Sequence, residues 1–406
     1  MTSEVQANAT SPSRRPAREN LAAEFALVLG AFAMGTSEFA SMGLLPDMAR
    51  DTHTSVPVAG HLISAYAIGV VVGAPVIAAV AARASRRALV IGLLVLFTIG
   101  NALTAVANHF GLLVFARFVS GLPHGAYFGV AALIAATLAH PGKRAQAVAR
   151  VMMGLSIANL VGAPLGTWIG EVASWRTTYG LLAGLAIITT VLCRSTVPPM
   201  HAAHGASARR ELGTLTKLQV WLTLGIGAIG LGGLFSVYTS LAPTLLLVTG
   251  VSASTVPLML VVIGLGMFSG NFLGGWLGDR GVMRAIGLLL PLNVVTYAAF
   301  YFSFHSFPAV TVNVFFAGLA GVALVPPLQT RLMDVAGHAQ SLGAMLNGCA
   351  INIANALGAA LGGLAIASGF GLTSTGVIGA ALAAGGLLVF LIALASGGSR
   401  ERSDVH

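Results

Sequence analysis

Twelve long apolar segments dominate the sequence, and each has about the 20 residues that an α-helix needs to cross a bilayer. In lipid, a segment must satisfy its own backbone hydrogen bonds, so each is predicted to be a helix rather than a strand. Since 56% of the residues are hydrophobic and only 8% are charged, we expect an all-α membrane protein. The segments lie at residues 22–45, 58–80, 88–107, 111–138, 145–170, 176–196, 219–247, 255–278, 283–303, 308–330, 339–367 and 373–396.

The positive charges are distributed unevenly between the two faces that twelve spans would create. Of the 21 Lys and Arg residues, Arg50 and Arg176 fall on one face, Arg117 falls within a segment, and the rest fall on the face with both termini. The positive-inside rule then predicts cytoplasmic termini and a multi-pass protein of the inner membrane. The net charge of +9 is therefore attributed to topology, and a nucleic-acid partner is not expected.

The longest polar interior stretch divides the chain almost equally and is interpreted as a cytoplasmic linker between two six-helix halves. The predicted organisation is a disordered cytoplasmic tail, a first half, the linker, a second half and a second cytoplasmic tail. Their bounds are 1–20, 21–196, 197–218, 219–396 and 397–406.

An internal repeat supports this division. SIANLVGAPLG at 156–166 aligns with NIANALGAALG at 352–362, so the fifth and eleventh segments are copies. Arg83 and Arg87 recur in the same way as Arg280 and Arg284. A duplicated bundle of this kind is typical of transporters, which place the substrate site at mid-membrane between the repeats.

Two ionisable residues lie inside apolar segments, where a charge exposed to lipid costs at least about 2.5 kcal/mol. They are Glu38, in GTSEFASMGLLP, and Arg117, in LLVFARFVSGLPHG. Both are expected in the outer half of the membrane at similar depth, close enough to interact directly or through water. Glu38 is interpreted as a proton-binding site that Arg117 tunes, and a purely structural pair is the alternative. His124 is a candidate for a proton relay or for a neutral, hydrogen-bonded core residue.

The fifth segment carries Gly162, Gly166 and Gly170 at a spacing of four residues, with Pro164 between them. This spacing places the glycines on one helix face and permits close helix approach. Tight packing alone would explain the stripe, and a gating surface is the functional alternative.

Two turns on the basic face are interpreted as parts of a conformational latch. ARASRR at 82–87 and GWLGDRGVMR at 275–284 are rich in arginine, which topology explains, but an acid there is unexpected. Asp279 is therefore predicted to pair with neighbouring arginines and hold the cytoplasmic side shut in one state. The latch candidates are Arg83, Arg86, Arg87, Asp279, Arg280 and Arg284.

Neutral polar and aromatic residues inside the segments are candidates for the lining of a substrate cavity. Such groups suit an uncharged polar or amphiphilic ligand, although each could equally form an interhelical hydrogen bond. The candidates are Phe39, Tyr66, Tyr127, Asn159, Tyr238, Asn271, Asn347, Asn352 and Asn355.

Several of these motifs resemble those of the major facilitator superfamily over residues 22–396. GWLGDRGVMR is similar to the family's loop signature, whereas the first-half turn departs from it with Ala82 in place of Asp and Ser85 in place of Gly. LLVFARFVSGLPHG resembles the family's intramembrane-arginine motif, and GAPLGTWIG resembles its antiporter motif, with Ala163 interrupting the usual Gly-Pro pair. MGTSEF, MGLLP, GLPHGAYFG, VGAPLGTWIG and SWRTTYG together resemble the arabinose-efflux and chloramphenicol-resistance branch of the twelve-helix drug:proton antiporters.

The resemblance implies a major facilitator fold of two six-helix repeats and proton-driven efflux of a small drug-like or sugar-like molecule. Proton-coupled uptake of a small metabolite is the alternative. We expect no enzymatic activity and no cofactor beyond the proton gradient. ATP drive is not expected, because no GxxxxGK[ST] nucleotide-binding loop occurs. The expected partners are the small-molecule substrate and the lipid bilayer, and the protein is expected to work as a monomer.

Overall fold

The structure is a computed structural model that describes residues 17–200, 207–252, 255–337 and 340–403. Within these residues, twelve helices are long and apolar enough to cross a membrane, as predicted. They are α1 (Asn20–Asp51), α2 (His61–Val80), α3 (Arg86–Val106), α4 (Phe110–Leu138), α5 (Arg144–Val172), α6 (Trp175–Thr196), α7 (Leu218–Thr249), α8 (Val256–Arg280), α9 (Val282–Ser303), α10 (Phe307–Ala336), α11 (Gln340–Phe370) and α12 (Ser374–Ser396). We call α1–α6 the first half and α7–α12 the second half.

Several helices are interrupted within the span, among them α5, α7 and α10. In α5, a π-helical turn at Ala158–Gly162 precedes Pro164, whose ring removes a backbone donor. α10 is divided at Leu324, where Phe307–Ala323 ends and Val325–Ala336 begins, with Pro326 and Pro327 in the first turn of the second segment. α7 is divided at Leu231, where Leu218–Gly230 ends and Gly232–Thr244 begins.

Glycines form close seams between particular helices. Gly69 and Gly73 of α2 face backbone carbonyls of α4, and Gly266, Gly270 and Gly274 of α8 face those of α10. A side chain at any of these positions would meet backbone atoms. Small residues thus let the helices approach closely, which is how bundles cohere where lipid removes the hydrophobic driving force. The same helix pair is therefore joined in the same way in each half.

Both ends of the described chain lie at one end of the bundle. Asn20 Nδ2 donates to the carbonyl of Leu138, where α4 ends, and Gln219 Nε2 donates to Ser396 at the end of α12. We call this end, which also carries Lys143, Arg144 and Arg194, the basic end.

The two halves are packed together from the basic end to the middle of the bundle. Along α5, contacts with α8 run from Ala145, beside Asp279, to Leu160, beside Gly264. α11 packs against α2 and α4 of the first half. Beyond mid-bundle, α5 exposes apolar side chains, among them Leu165 and Trp168. The structure thus shows a transporter-like bundle that is closed at its basic end.

Candidate functional site

A cluster of polar side chains from three helices lies inside the first half. Tyr66 Oη of α2 lies 2.7 Å from His124 Nδ1 of α4, and His124 Nε2 lies 3.6 Å from Glu38 Oε2 of α1. In the tautomer that carries its proton on Nε2, His124 accepts from Tyr66 and directs its own N–H at Glu38. The three side chains therefore form a line along which a proton can pass after a small shift.

The Glu38 side chain is 16% exposed, whereas those of Tyr66 and His124 are almost fully buried. Glu38 is thus the member of the line with the most contact to its surroundings. An acid in this position can exchange a proton with the space it faces. His124 and Tyr66 lie on its buried side.

Arg117 is only 1% exposed and lies beside this line. Its guanidinium donates to Ser37 Oγ at 3.2 Å and to the Ser37 carbonyl at 3.3 Å, and Ser37 in turn donates to Asn101. It also lies over the rings of Tyr66 and Tyr179, at 4.4 and 5.3 Å from their centroids. Cation–π contacts and two hydrogen bonds explain how a charge is held there without an acid in direct contact.

This geometry corrects part of the sequence-based prediction. Among the described residues no ion pair joins Glu38 to Arg117, although a direct interaction was one of the expectations. Arg117 bonds instead to Ser37, the neighbour of Glu38, so the two charges interact through space. His124, rather than Arg117, is the ionisable side chain nearest the carboxylate. The sequence did not single out Ser37, because only packing shows which face of α1 points inward.

The cavity candidates fall into two groups. Phe39, Asn159, Tyr238, Asn352 and Asn355 are half-buried. Tyr238 Oη donates to Asn159 Oδ1 at 3.3 Å, which joins α7 of the second half to α5 of the first.

The other four candidates do not line an open cavity in this conformation. Tyr127 donates to the Leu27 carbonyl and fills the space beside Gly30, so it is a core residue. Tyr66 belongs to the line with His124. Asn271 Nδ2 donates to Ser156 Oγ at 2.9 Å in the seam between α8 and α5. Asn347 is buried in α11.

Asp279 does not pair with the arginines predicted as its latch partners, and it joins the two halves in a different way. Asp279 accepts hydrogen bonds from the backbone N–H groups of Ala145 at 2.7 Å and Gln146 at 3.2 Å, so it caps the first turn of α5. Arg280 lies over the Trp276 ring instead, 3.6 Å from its centroid. Arg284 is exposed.

The first-half arginines also differ from the prediction. Arg86 donates to Thr137 and Arg87 to the Arg194 carbonyl, both within the first half, and Arg83 is exposed. These contacts brace one half rather than join the two.

One contact between the halves and one between the linker and the second half were not predicted from the sequence. Arg144 lies 3.3 Å from Asp334, and the linker residue Glu211 accepts from the Leu342 N–H at 3.0 Å. An acid on the predicted basic face was the available signal for both, since Asp279 was recognised on that ground.

The glycine stripe of α5 packs within the first half. Gly162, Gly166 and Gly170 face α1, and a Cβ added to Gly166 would lie 3.0 Å from that of Ala40. This favours the tight-packing interpretation, because the stripe does not face the second half.

The chain has relatives among known proteins. The model of the Major Facilitator Superfamily matches residues 27–292. The Escherichia coli K12 inner membrane transport protein YdhP is 41% identical over 368 residues, covering 90% of this chain and 94% of that protein. The putative transporter AraJ of the same strain is 34% identical, covering 84% and 87%. The chloramphenicol resistance protein of Streptomyces lividans is 33% identical, covering 90% and 93%.

The fold has counterparts among solved structures. The E. coli fucose:proton symporter FucP superimposes with a TM-score of 0.75 at 13% identity, covering 93% of this chain and 99% of that one. At this identity the likeness concerns the fold alone. Together with the sequence matches, it shows that the chain belongs to the major facilitator superfamily, as a multi-pass membrane transporter of the arabinose-efflux and chloramphenicol-resistance branch.

Proposed function

We propose that this transporter exports a small drug-like or sugar-like molecule in exchange for protons, by alternating access. The proposal depends on one observation, the line Tyr66–His124–Glu38 inside the first half. An ionisable group within a membrane bundle is costly, so its presence favours a functional role. Glu38 is proposed to carry the proton.

The proposed cycle makes proton and substrate compete for Glu38. When the end opposite the basic end is open, a proton from outside neutralises Glu38 and substrate leaves. When the basic end opens, Glu38 releases its proton and the negative site accepts substrate again. Arg117 favours proton release because its positive charge stabilises the carboxylate, and His124 Nε2, 3.6 Å away, would reach hydrogen-bonding distance after a small shift. No cofactor other than the proton gradient is required.

The half-buried groups that join the halves are proposed to line the substrate site. Asn159 and Tyr238 meet across the middle of the bundle, where the rocking of one half against the other would separate them. An amide, a phenol and Phe39 suit a neutral ligand with both polar and apolar parts. The buried Asn271 and Asn347 would join them only if the basic end opens.

Export is the direction that the relatives favour. One is named a chloramphenicol resistance protein, and another, from Helicobacter acinonychis at 28% identity, a probable sugar efflux transporter. Uptake coupled to protons is the second candidate, because FucP shares the fold and is named a fucose:proton symporter. For either direction we propose that the basic end faces the cytoplasm of the cell and that one chain suffices.

The test is an accumulation assay in a bacterium that lacks its major efflux pumps. Cells expressing this chain are challenged with labelled chloramphenicol, other amphenicols and a sugar panel, with and without a protonophore. Export predicts that expression lowers accumulation of at least one compound and that the protonophore restores it. Accumulation that rises on expression would establish uptake instead, and a decrease that the protonophore leaves unchanged would refute proton drive.

A further inference from the structure

The linker carries a buried acid on a short helix that contacts both halves. Glu211 lies on the short helix Ala208–Leu212, which packs against α2 of the first half and against the start of α11 in the second. Its side chain reaches the first turn of α11, where Oε2 accepts from the Leu342 N–H at 3.0 Å. Glu211 is only 5% exposed, which is unusual for an acid in a connecting segment.

The first turn of α5, the repeat copy of α11, is bonded to a carboxylate in the same way. Asp279 caps α5 through the N–H groups of Ala145 and Gln146. The alignment of residues 156–166 with 352–362 places Leu342 at the position of Gln146. The corresponding N–H group in the first turn of each repeat helix is therefore bonded to a carboxylate. For α5 the carboxylate belongs to the other half, and for α11 it belongs to the linker.

The two carboxylates come from different places in the sequence. Asp279 belongs to the turn between α8 and α9. The corresponding turn of the first half carries Ala82 at the repeat position, and alanine has no side-chain acceptor. The first half thus lacks the acid that would cap α11 in the symmetric arrangement, and Glu211 supplies one.

We infer that Glu211 is the second of two helix-capping locks that hold the basic end closed, so that the linker takes part in gating rather than only joining the halves. A carboxylate at a helix N-terminus is stabilised by the unpaired N–H groups and the helix dipole. Opening moves α11 away from α2 and its linker helix, which breaks this contact. The lock therefore stabilises the closed state selectively.

The electrostatic environment of Glu211 indicates that losing its bond to the Leu342 N–H would destabilise the closed state. Burial raises the pKa of its carboxyl above the usual value, and the Leu342 N–H and the positive charge of Arg86 offset part of that effect. Without the N–H of Leu342, the carboxylate would retain its burial and lose the bond that compensates for it.

The inference rests on alternating access but not on the identity of the substrate or on proton coupling. It is therefore tested by how readily a buried cysteine reacts with a reagent in water. Cys349 is a native reporter, since its Sγ lies 4.0 Å from the Val71 carbonyl of the other half and the side chain is buried. Cys193→Ala leaves it as the single cysteine. Labelling by a membrane-impermeant maleimide in inside-out vesicles then measures how often the basic end opens.

Glu211→Gln is expected to raise the labelling rate by about fivefold to thirtyfold, the range for a partly buried helix-dipole contact. Asp279→Asn is expected to raise it similarly. The matched control is Glu171→Gln, an exposed acid near the far end of α5, which should leave the rate unchanged. A rate for Glu211→Gln equal to wild type, with a raised rate for Asp279→Asn, would overturn the inference.

A rescue variant separates a lost lock from a damaged fold. Adding Ala82→Asp to Glu211→Gln places an acid in the first-half turn, at the repeat position of Asp279, and is expected to return the rate towards wild type. A fold weakened by the loss of Glu211 would not be repaired by an acid added in a different turn. A double variant that labels as fast as Glu211→Gln would contradict the idea that Glu211 replaces an acid missing at position 82.

Discussion

Gly129→Ala should open the basic end without weakening either half. Gly129 of α4 faces α11, and a Cβ added to it would lie 2.5 Å from Met345 N and 2.6 Å from Met345 Cα. Ordinary contact begins at 3.4 Å, so the helices must separate by about 0.9 Å. Both atoms are backbone, so no side-chain rotation relieves the clash. Overpacking of this kind costs about 1–3 kcal/mol, and only in the closed state, because the contact vanishes when the halves separate.

That cost corresponds to a shift of about fivefold to 150-fold in the equilibrium between the closed and open basic end. The Cys349 labelling assay in inside-out vesicles measures it. Gly92→Ala is the matched control, because its added Cβ would meet nothing within 4 Å. Unchanged labelling in Gly129→Ala, or a lower unfolding temperature without faster labelling, would refute the reasoning.

Two further substitutions test the packing of individual groups. Glu24→Gln should lower the free energy of unfolding by about 1–3 kcal/mol, because Glu24 is buried and receives two bonds from Arg150, at 2.6 and 2.9 Å. Thermal unfolding in detergent should show a much smaller effect for Arg50→Ala, less than about 1 kcal/mol, since its pair with Asp47 is exposed, and equal effects would contradict this. Asn347→Leu should raise the unfolding temperature, because both polar side-chain atoms of Asn347 are buried without a hydrogen-bond partner among the described residues. A lowered temperature would instead indicate that the amide has a partner such as bound water.

The fold was predictable because each membrane-spanning helix is marked by a long run of apolar residues in the sequence. A run of about 20 apolar residues has one stable form in lipid, so all twelve spans could be placed before packing was known. The ends were less predictable. α1 continues through Pro46 to Asp51, where the Asp51 carboxylate accepts from Trp175 and Arg176. Those partners are distant in sequence, so nothing local indicated the extension.

The candidate site was predictable in its members and not in its connections. Glu38, Arg117 and His124 stand out because ionisable residues are rare within apolar segments. Tyr66 and Tyr127 look alike in the sequence, yet one contacts His124 and the other fills the core. Rotation of each helix about its axis decides which neighbour a side chain meets, and that rotation depends on packing against the whole bundle.

The contacts at the basic end were the hardest to anticipate. Asp279 was expected to pair with the arginines that follow it in the sequence, but it bonds to backbone N–H groups that carry no sequence signal. Glu211 lies in a segment whose composition indicates a loop. Its role follows only from the position of α11 beside it.

The proposal that Glu38 carries the proton is tested most directly in proteoliposomes, with a compound that the accumulation assay identifies. A gradient of one pH unit supplies about 1.4 kcal/mol per proton, so one carried proton supports about a tenfold concentration ratio of a neutral substrate. Wild type and the control Glu171→Gln should reach a ratio of that order. Glu38→Gln should give no gradient-driven accumulation while still exchanging labelled for unlabelled compound. Gradient-driven accumulation by Glu38→Gln at the wild-type level would contradict the account.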